Sequence, residues 1–83
     1  MNTVTVILYA NFKEVTGVGR IELEMPLEAT VGDVKQELLK QHPRLRTHFA
    51  KMTTVVNKHN VSLDSDPLPP NAEVILMPPL AGG

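Results

Sequence analysis

The residue best suited to chemistry is the last one, where the sequence ends in Gly82 and Gly83. The carboxylate of Gly83 is a poor electrophile, but adenylation by ATP would give it a good leaving group. A sulfur donor could then convert the acyl-adenylate into a thiocarboxylate, which is a nucleophilic source of sulfur. Because glycine has no side chain, this end could enter a channel too narrow for any other residue. The pattern therefore indicates a reactive tail on which other proteins act.

The histidines and serines of this sequence are not spaced like metal ligands or catalytic residues. His42, His48 and His59 show neither an HxxxH nor an HxH pattern, so we expect solvent-exposed histidines and no metal site. Ser62 and Ser65 fall in or beside a predicted loop, and neither has a histidine and an acid at a known spacing. The sequence therefore predicts no site at which this chain alone acts on a substrate.

The composition and the glycine positions exclude further kinds of functional site. The chain has no cysteine, which excludes disulfides, thiolate metal sites and a cysteine nucleophile. The glycines at Gly17 and Gly19 are followed by a predicted strand, whereas a phosphate loop needs a helix there. We therefore predict no bound cofactor; the adenylate and the thiocarboxylate of Gly83 are expected as transient covalent states.

Length and charge predict one small soluble domain. The chain has 83 residues, of which 42% are hydrophobic and 20% are charged. The net charge of −1 and the scattered Lys and Arg residues argue against a nucleic-acid partner. The sequence shows no membrane-spanning stretch and no signal peptide, so we expect a cytoplasmic protein without a membrane partner.

The tail is set apart from the domain by two prolines. Pro78 and Pro79 lack N–H groups and have a fixed φ, so the last strand cannot continue through them. Leu80 and Ala81 then lead to the two glycines. Fully extended, the chain beyond Met77 would reach roughly 20 Å from the domain. We predict a domain over residues 1–77 and a flexible tail over residues 78–83.

Alternating apolar residues predict strands at residues 3–10, 20–25, 53–58, 61–63 and 73–77. A helix is predicted between the second and third strands, with Thr30 as N-cap, Asp33 in a capping box and an end near His42, before Pro43. Its apolar stripe consists of Val31, Val34 and Leu38, with Leu39 as a further candidate. Leu45 and Phe49, four residues apart, predict a short helical turn that closes one end of the core.

This order predicts an α+β protein with the β-grasp (ubiquitin-like) fold. One main helix packs on one face of a mixed sheet of four to five strands, and the first and last strands pair in the centre. On the opposite face we expect one apolar patch, formed by Tyr9, Ile7, Ile75 and Met77. Either a loop covers this patch or it docks a protein partner, since small monomers rarely expose such a surface.

Four segments together resemble the family of small sulfur-carrier subunits of molybdopterin synthase. This family belongs to the ubiquitin-like sulfur carriers of the molybdopterin and thiamine type. The four segments are YANFKEVTG, TVGDVKQELLKQHP, VVNK and, above all, EVILMPPLAGG. The resemblance implies that an adenylating enzyme of the ubiquitin-activating type activates Gly83 and that Gly83 then carries sulfur. The tail would insert into the large synthase subunit, in a heterotetramer of two small and two large subunits. There the sulfur would pass to a cyclic pyranopterin precursor.

The resemblance also implies roles for individual residues. Tyr9 and Met77 match positions where the family places large apolar side chains against its partners, and catalytic residues are expected on the large subunit. The sequence departs from the family at Lys13-Glu14, where an Arg-Glu pair is usual, and before the last strand, where Asn71 can adopt the left-handed conformation that glycine would supply.

Three other functions remain open from the sequence. The chain could carry sulfur for another route, such as thiamine or cysteine synthesis, although the Pro78-Pro79 pair favours the molybdopterin branch. It could also be a ubiquitin-like modifier that uses the same activated glycine to acylate lysines. Finally, it could be a plain interaction domain whose Gly-Gly end has no role.

Overall fold

The computed structural model describes residues 2–49, 52–58, 60–61 and 63–78, and its centre is a five-stranded mixed sheet. The strands are β1 (Asn2–Leu8), β2 (Arg20–Met25), β3 (Thr53–Val56), β4 (Asn60–Val61) and β5 (Glu73–Met77). Their spatial order is β2-β1-β5-β3-β4. β1 and β5 are parallel, and the other neighbouring pairs are antiparallel. The predicted central pairing of the first and last strands is thus confirmed.

The helices of the structure are α1 (Asn11–Thr16), α2 (Val31–Gln41), the 3-10 turn Pro43–Leu45 and α3 (Arg46–Phe49). The predicted capping box of α2 is present, because the Thr30 hydroxyl accepts from the Asp33 amide and the Asp33 carboxylate accepts from the Thr30 amide. In the predicted stripe of α2, Val31, Val34 and Leu38 are fully buried, and Leu39 is partly buried against the core. Leu45 is also fully buried, as expected for a turn that closes the core.

The sequence prediction missed α1. We expected β1 to reach residue 10 and a turn to follow, whereas β1 ends at Leu8 and a six-residue helix follows. Its principal anchor is Phe12, which is fully buried, and Gly17 ends the helix in the left-handed conformation at φ 78°. A helix of this length does not repeat its apolar spacing often enough to produce a detectable helical period.

Several turn residues other than glycine adopt a positive φ, the backbone conformation that glycine usually supplies. Asn71 has φ 54°, as the sequence predicted, and its amide donates to the buried Asn2 side chain at 2.7 Å. Asn57 and Lys58 also have positive φ, which suits the tight turn between β3 and β4. β4 spans Asn60–Val61, one residue earlier than predicted, and the predicted tail lies outside the described residues except for Pro78.

The backbone is strained at Ala10. Its φ of 51° and ψ of −126° place it at the first central position of a type II′ turn, in which the Phe12 amide donates to the Tyr9 carbonyl at 3.1 Å. Glycine is the usual residue at this position because a Cβ atom is strained there.

Replacing Ala10 with glycine should therefore stabilise the domain, by about 1 kcal/mol or roughly 4–8 °C in thermal midpoint. Thermal and urea unfolding would measure the change. The matched control is Gly17→Ala, which meets no atom within 4 Å but retains φ 78°, and should therefore destabilise the domain by a similar amount. A destabilised Ala10→Gly variant would contradict the assignment of strain to this turn.

Candidate functional site

The predicted apolar patch lies across the two central strands, on the sheet face opposite α2. Ile7 of β1 and Ile75 of β5 are direct neighbours in the parallel pair, and Val55 of β3 flanks Ile75 on the other side. The structure places Ile75 deepest, at 8% exposure, while Tyr9 is 49% exposed and both Ile7 and Met77 are half-buried. The accessible part of this patch therefore lies toward Tyr9 and Met77.

Tyr9 and Met77 lie at the same end of the sheet because β1 and β5 run in the same direction. The Tyr9 amide donates to the Leu76 carbonyl at 3.2 Å, and this bond joins the two strands near their final residues. The turn at Ala10 then directs the chain away into α1, whereas β5 continues to Met77 and Pro78. We call the end where β1 and β5 finish the tail-side end of the domain.

Charged residues of β2 border the patch on one side. Arg20 lies opposite Ile7, and Glu22 lies opposite Thr5. The Arg20 and Glu22 side chains form an ion pair at 3.6 Å, and both are more than half exposed. An exposed ion pair of this kind adds little to stability. The patch is therefore apolar at its centre and charged along its β2 margin, which is the usual composition of a protein-docking surface.

The two histidines that the structure describes are less exposed than the sequence predicted. His48 is half-buried. Its Nδ1 accepts a hydrogen bond from the side-chain amide of Asn11 (Nδ2) at 2.9 Å, and its ring packs edge-on against Phe12 with the ring centroids 5.8 Å apart. His48 therefore joins α3 to α1, and its prediction as a solvent-exposed residue was wrong. His42 is half-buried at the end of α2, and His59 lies outside the described residues.

No metal-binding group was expected. Among the residues that the structure describes, no three His, Asp or Glu side chains are grouped so that they could hold a metal ion. Ser65 lies exposed in a turn, whereas Ser62 lies outside the described range. Within that range, no helix is long and apolar enough to cross a membrane.

The tail residues Pro79, Leu80, Ala81, Gly82 and Gly83 lie outside the described residues. Pro78 is described, and it lies half-buried in a bend directly after β5. The structure thus brings together Tyr9, Ile7, Ile75 and Met77 and places the origin of the tail beside them. Sequence reasoning missed the Asn11–His48 contact, because the two residues are 37 positions apart and neither belongs to a motif.

Comparison with known proteins gives a family match over most of the chain. Residues 6–83 match the model of the ThiS family. The molybdopterin synthase sulfur carrier subunit of Dictyostelium discoideum is 30% identical over 84 aligned positions, which cover 99% of this chain and 98% of that protein. Both matches cover nearly the entire sequence rather than one motif.

Solved structures agree in fold. A molybdopterin converting factor subunit 1 from Pyrococcus furiosus superposes with a TM-score of 0.84 at 28% identity, over 96% of this chain and all of that one. The small archaeal modifier protein 1 of Haloferax volcanii gives a TM-score of 0.86 at 22% identity, over 96% of this chain and all of that one. The second likeness shows the β-grasp fold alone.

The exposure of Tyr9 predicts that this side chain contributes little to folding. Replacing Tyr9 with serine should lower the free energy of unfolding by less than about 1 kcal/mol, as is usual for a surface position. Leu76 is fully buried on the opposite face of the sheet, so Leu76→Ala should lower the free energy of unfolding by about 2–5 kcal/mol. Urea unfolding of both variants measures the difference. Equal losses would place Tyr9 in the fold rather than in a docking surface.

Proposed function

This chain belongs to the ThiS family, and we propose that it is a sulfur carrier whose Gly83 alternates between a carboxylate and a thiocarboxylate. The observation that carries the proposal is the family match, which extends through residue 83 and therefore includes the Gly82-Gly83 end. The domain supports it, because β5 delivers the tail from the sheet end at which Tyr9 and Met77 are accessible. The domain thus holds the tail while partner enzymes perform the chemistry.

The proposed chemistry starts with an oxygen of the Gly83 carboxylate attacking the α-phosphorus of ATP. An acyl-adenylate forms and pyrophosphate leaves. The sulfur of a hydrosulfide-equivalent donor then attacks the acyl carbon, a proton is released, and AMP departs with the electron pair of the broken C–O bond. The adenylating enzyme would be of the ubiquitin-activating type. In this proposal the adenylating enzyme supplies the catalytic side chains for these steps.

We further propose that the sulfur enters molybdenum cofactor biosynthesis. The 30% identical relative is named as the sulfur carrier subunit of molybdopterin synthase, and this name supports a large synthase subunit as partner. We propose that the two form a heterotetramer of two small and two large subunits. The thiocarboxylate sulfur would form a bond to a carbon of the cyclic pyranopterin precursor as a carbon–oxygen bond at that carbon breaks, and the departing oxygen would keep the electron pair and take up a proton. Water would then cleave the acyl–sulfur bond, leaving sulfur on the product and restoring the Gly83 carboxylate.

In this proposal the accessible part of the apolar patch docks the partners. Tyr9 offers a large side chain that is half in water, and Ile7 and Met77 widen the surface around the more deeply buried Ile75. Aromatic and methionine side chains are enriched in the cores of protein interfaces. Docking here would align Pro78, Pro79, Leu80 and Ala81 with a channel in which Gly82 and Gly83 reach the catalytic groups.

The direct test of the carrier is the mass of the intact chain after incubation with ATP, its adenylating enzyme and a sulfide donor. The proposal predicts a gain equal to the replacement of one oxygen by sulfur, located at Gly83 by fragmentation. A Gly83 carboxylate that stays unchanged beside a competent enzyme would contradict it. Gly83 found in amide bonds to lysine side chains would instead support the modifier alternative.

The position of the terminal carboxylate supplies a second test. Adding one residue after Gly83, or deleting Gly82, should abolish adenylation because the carboxylate no longer reaches the same point in a narrow channel. Thermal stability should barely change. The matched control is one residue added before Met1, which should leave adenylation intact. A loss of stability in the tail variants would mark the tail as part of the fold.

A further inference from the structure

The charged side chains of this domain are separated between its two ends. The described Lys and Arg residues of the tail-side end are Lys13, Arg20, Lys40, Arg44 and Arg46, against Glu14 and the two ion-pair partners Glu22 and Glu37. The described acids of the opposite end are Glu24, Glu28, Asp33, Asp64, Asp66 and Glu73, against Lys35 and Lys58. The net charge of −1 therefore hides a basic end and an acidic end.

The contacts of the chain place the basic residues beside the origin of the tail. Asn11, three residues after the end of β1, bonds to His48 in α3, so α3 lies at the end where β1 finishes. The chain then returns to the sheet at Thr53, which pairs with Met77. The 3-10 turn and α3 thus lie at the end from which the tail leaves.

Arg44 and Arg46 are the most available of these cations. Both are exposed, while Leu45 between them is fully buried and anchors the segment. Lys40 and Arg20 each lie near a glutamate, but no ion pair between described residues includes Arg44 or Arg46. From residue 40 to residue 51 the sequence contains no acid at all.

At the opposite end, several carboxylates have partners within the domain. The Asp33 carboxylate accepts from the Thr30 amide, and the Asp66 carboxylate accepts from the Leu63 amide. The Lys35 ammonium forms an ion pair with the Asp64 carboxylate. Asp33, Asp64 and Asp66 thus have partners within the domain, whereas among the described residues Arg44 and Arg46 have no acidic partner.

We propose that Arg44 and Arg46 dock against an acidic surface of the adenylating enzyme, beside the channel that receives the tail. The proposal rests on the carrier function above, since only a protein that takes the tail must face this end of the domain. A protein surface is favoured over nucleic acid because the cations occupy one end of an otherwise acidic domain. It is favoured over a membrane because the apolar residue of the segment, Leu45, is buried.

Such a contact acts first on the rate of association. Complementary charges near an interface steer the partners together, and charges at the edge of an interface change the association rate and its dependence on salt. Steering would bring the tail-side end to the channel before the tail enters it. The apolar patch would then supply the contact that holds the complex.

The test is ATP–pyrophosphate exchange catalysed by the adenylating enzyme of the same organism, with this chain as substrate. At about 0.1 M salt, the double variant Arg44→Glu with Arg46→Glu should lose roughly tenfold in kcat/KM through a higher KM. Near 1 M salt, where the Debye length falls to about 3 Å, the difference should largely vanish. Lysine at both positions should retain most of the wild-type rate.

The matched control is Lys58→Glu, a charge reversal in the exposed turn at the opposite end, which should change kcat/KM less than about twofold. Equal rates for the wild type and the double variant, or an equal loss in Lys58→Glu, would overturn the docking assignment and leave the carrier function intact. No exchange with the wild-type chain would overturn both. Salt-sensitive binding of an oligonucleotide that requires Arg44 and Arg46 would reassign the surface to nucleic acid.

Discussion

The parallel pairing of β1 with β5 is the constraint on which the rest of this structure depends. A parallel pair cannot be joined by a hairpin, so the chain between the two strands must cross the sheet, and α2 covers one face during that crossing. Burial of Val74 and Leu76 fixes the register, because a slip by one residue would turn Ile75 and Met77 into the core. The pairing ends both strands at the same end, so the accessible side chains and the origin of the tail lie together.

Much of this arrangement follows from the sequence, and the exceptions have physical causes. Strand alternation and the Thr30–Asp33 capping box are local patterns, so β2, β5 and α2 were predicted close to their observed bounds. α1 was missed because Ala10 occupies a turn position that normally indicates glycine, and because six residues carry too few apolar positions. The burial of His48 depends on Asn11, a partner far away in the sequence, which no local pattern reveals.

The sequence likewise predicted some features of the candidate site and not others. Alternation assigned Ile7, Ile75 and Met77 to one face, but it gave no means of ranking their exposure. Ile75 is the most buried of the three because it lies on a central strand with an apolar neighbour on each side, Ile7 and Val55. The separation of charge between the two ends was also hidden, since positions distant in the sequence share an end only after the sheet has formed. The Gly82-Gly83 tail, in contrast, was evident from residue types alone.

In the proposed function, the fold positions Gly83 for chemistry that partner enzymes perform. The most direct measurement follows isotopically labelled sulfur from the Gly83 thiocarboxylate after mixing with the large synthase subunit and the cyclic pyranopterin precursor. The account predicts that the label moves to the pterin product while Gly83 returns to a carboxylate. Label that stays on Gly83 in the presence of an active large subunit, or Gly83 recovered in amide bonds to lysine side chains, would contradict it.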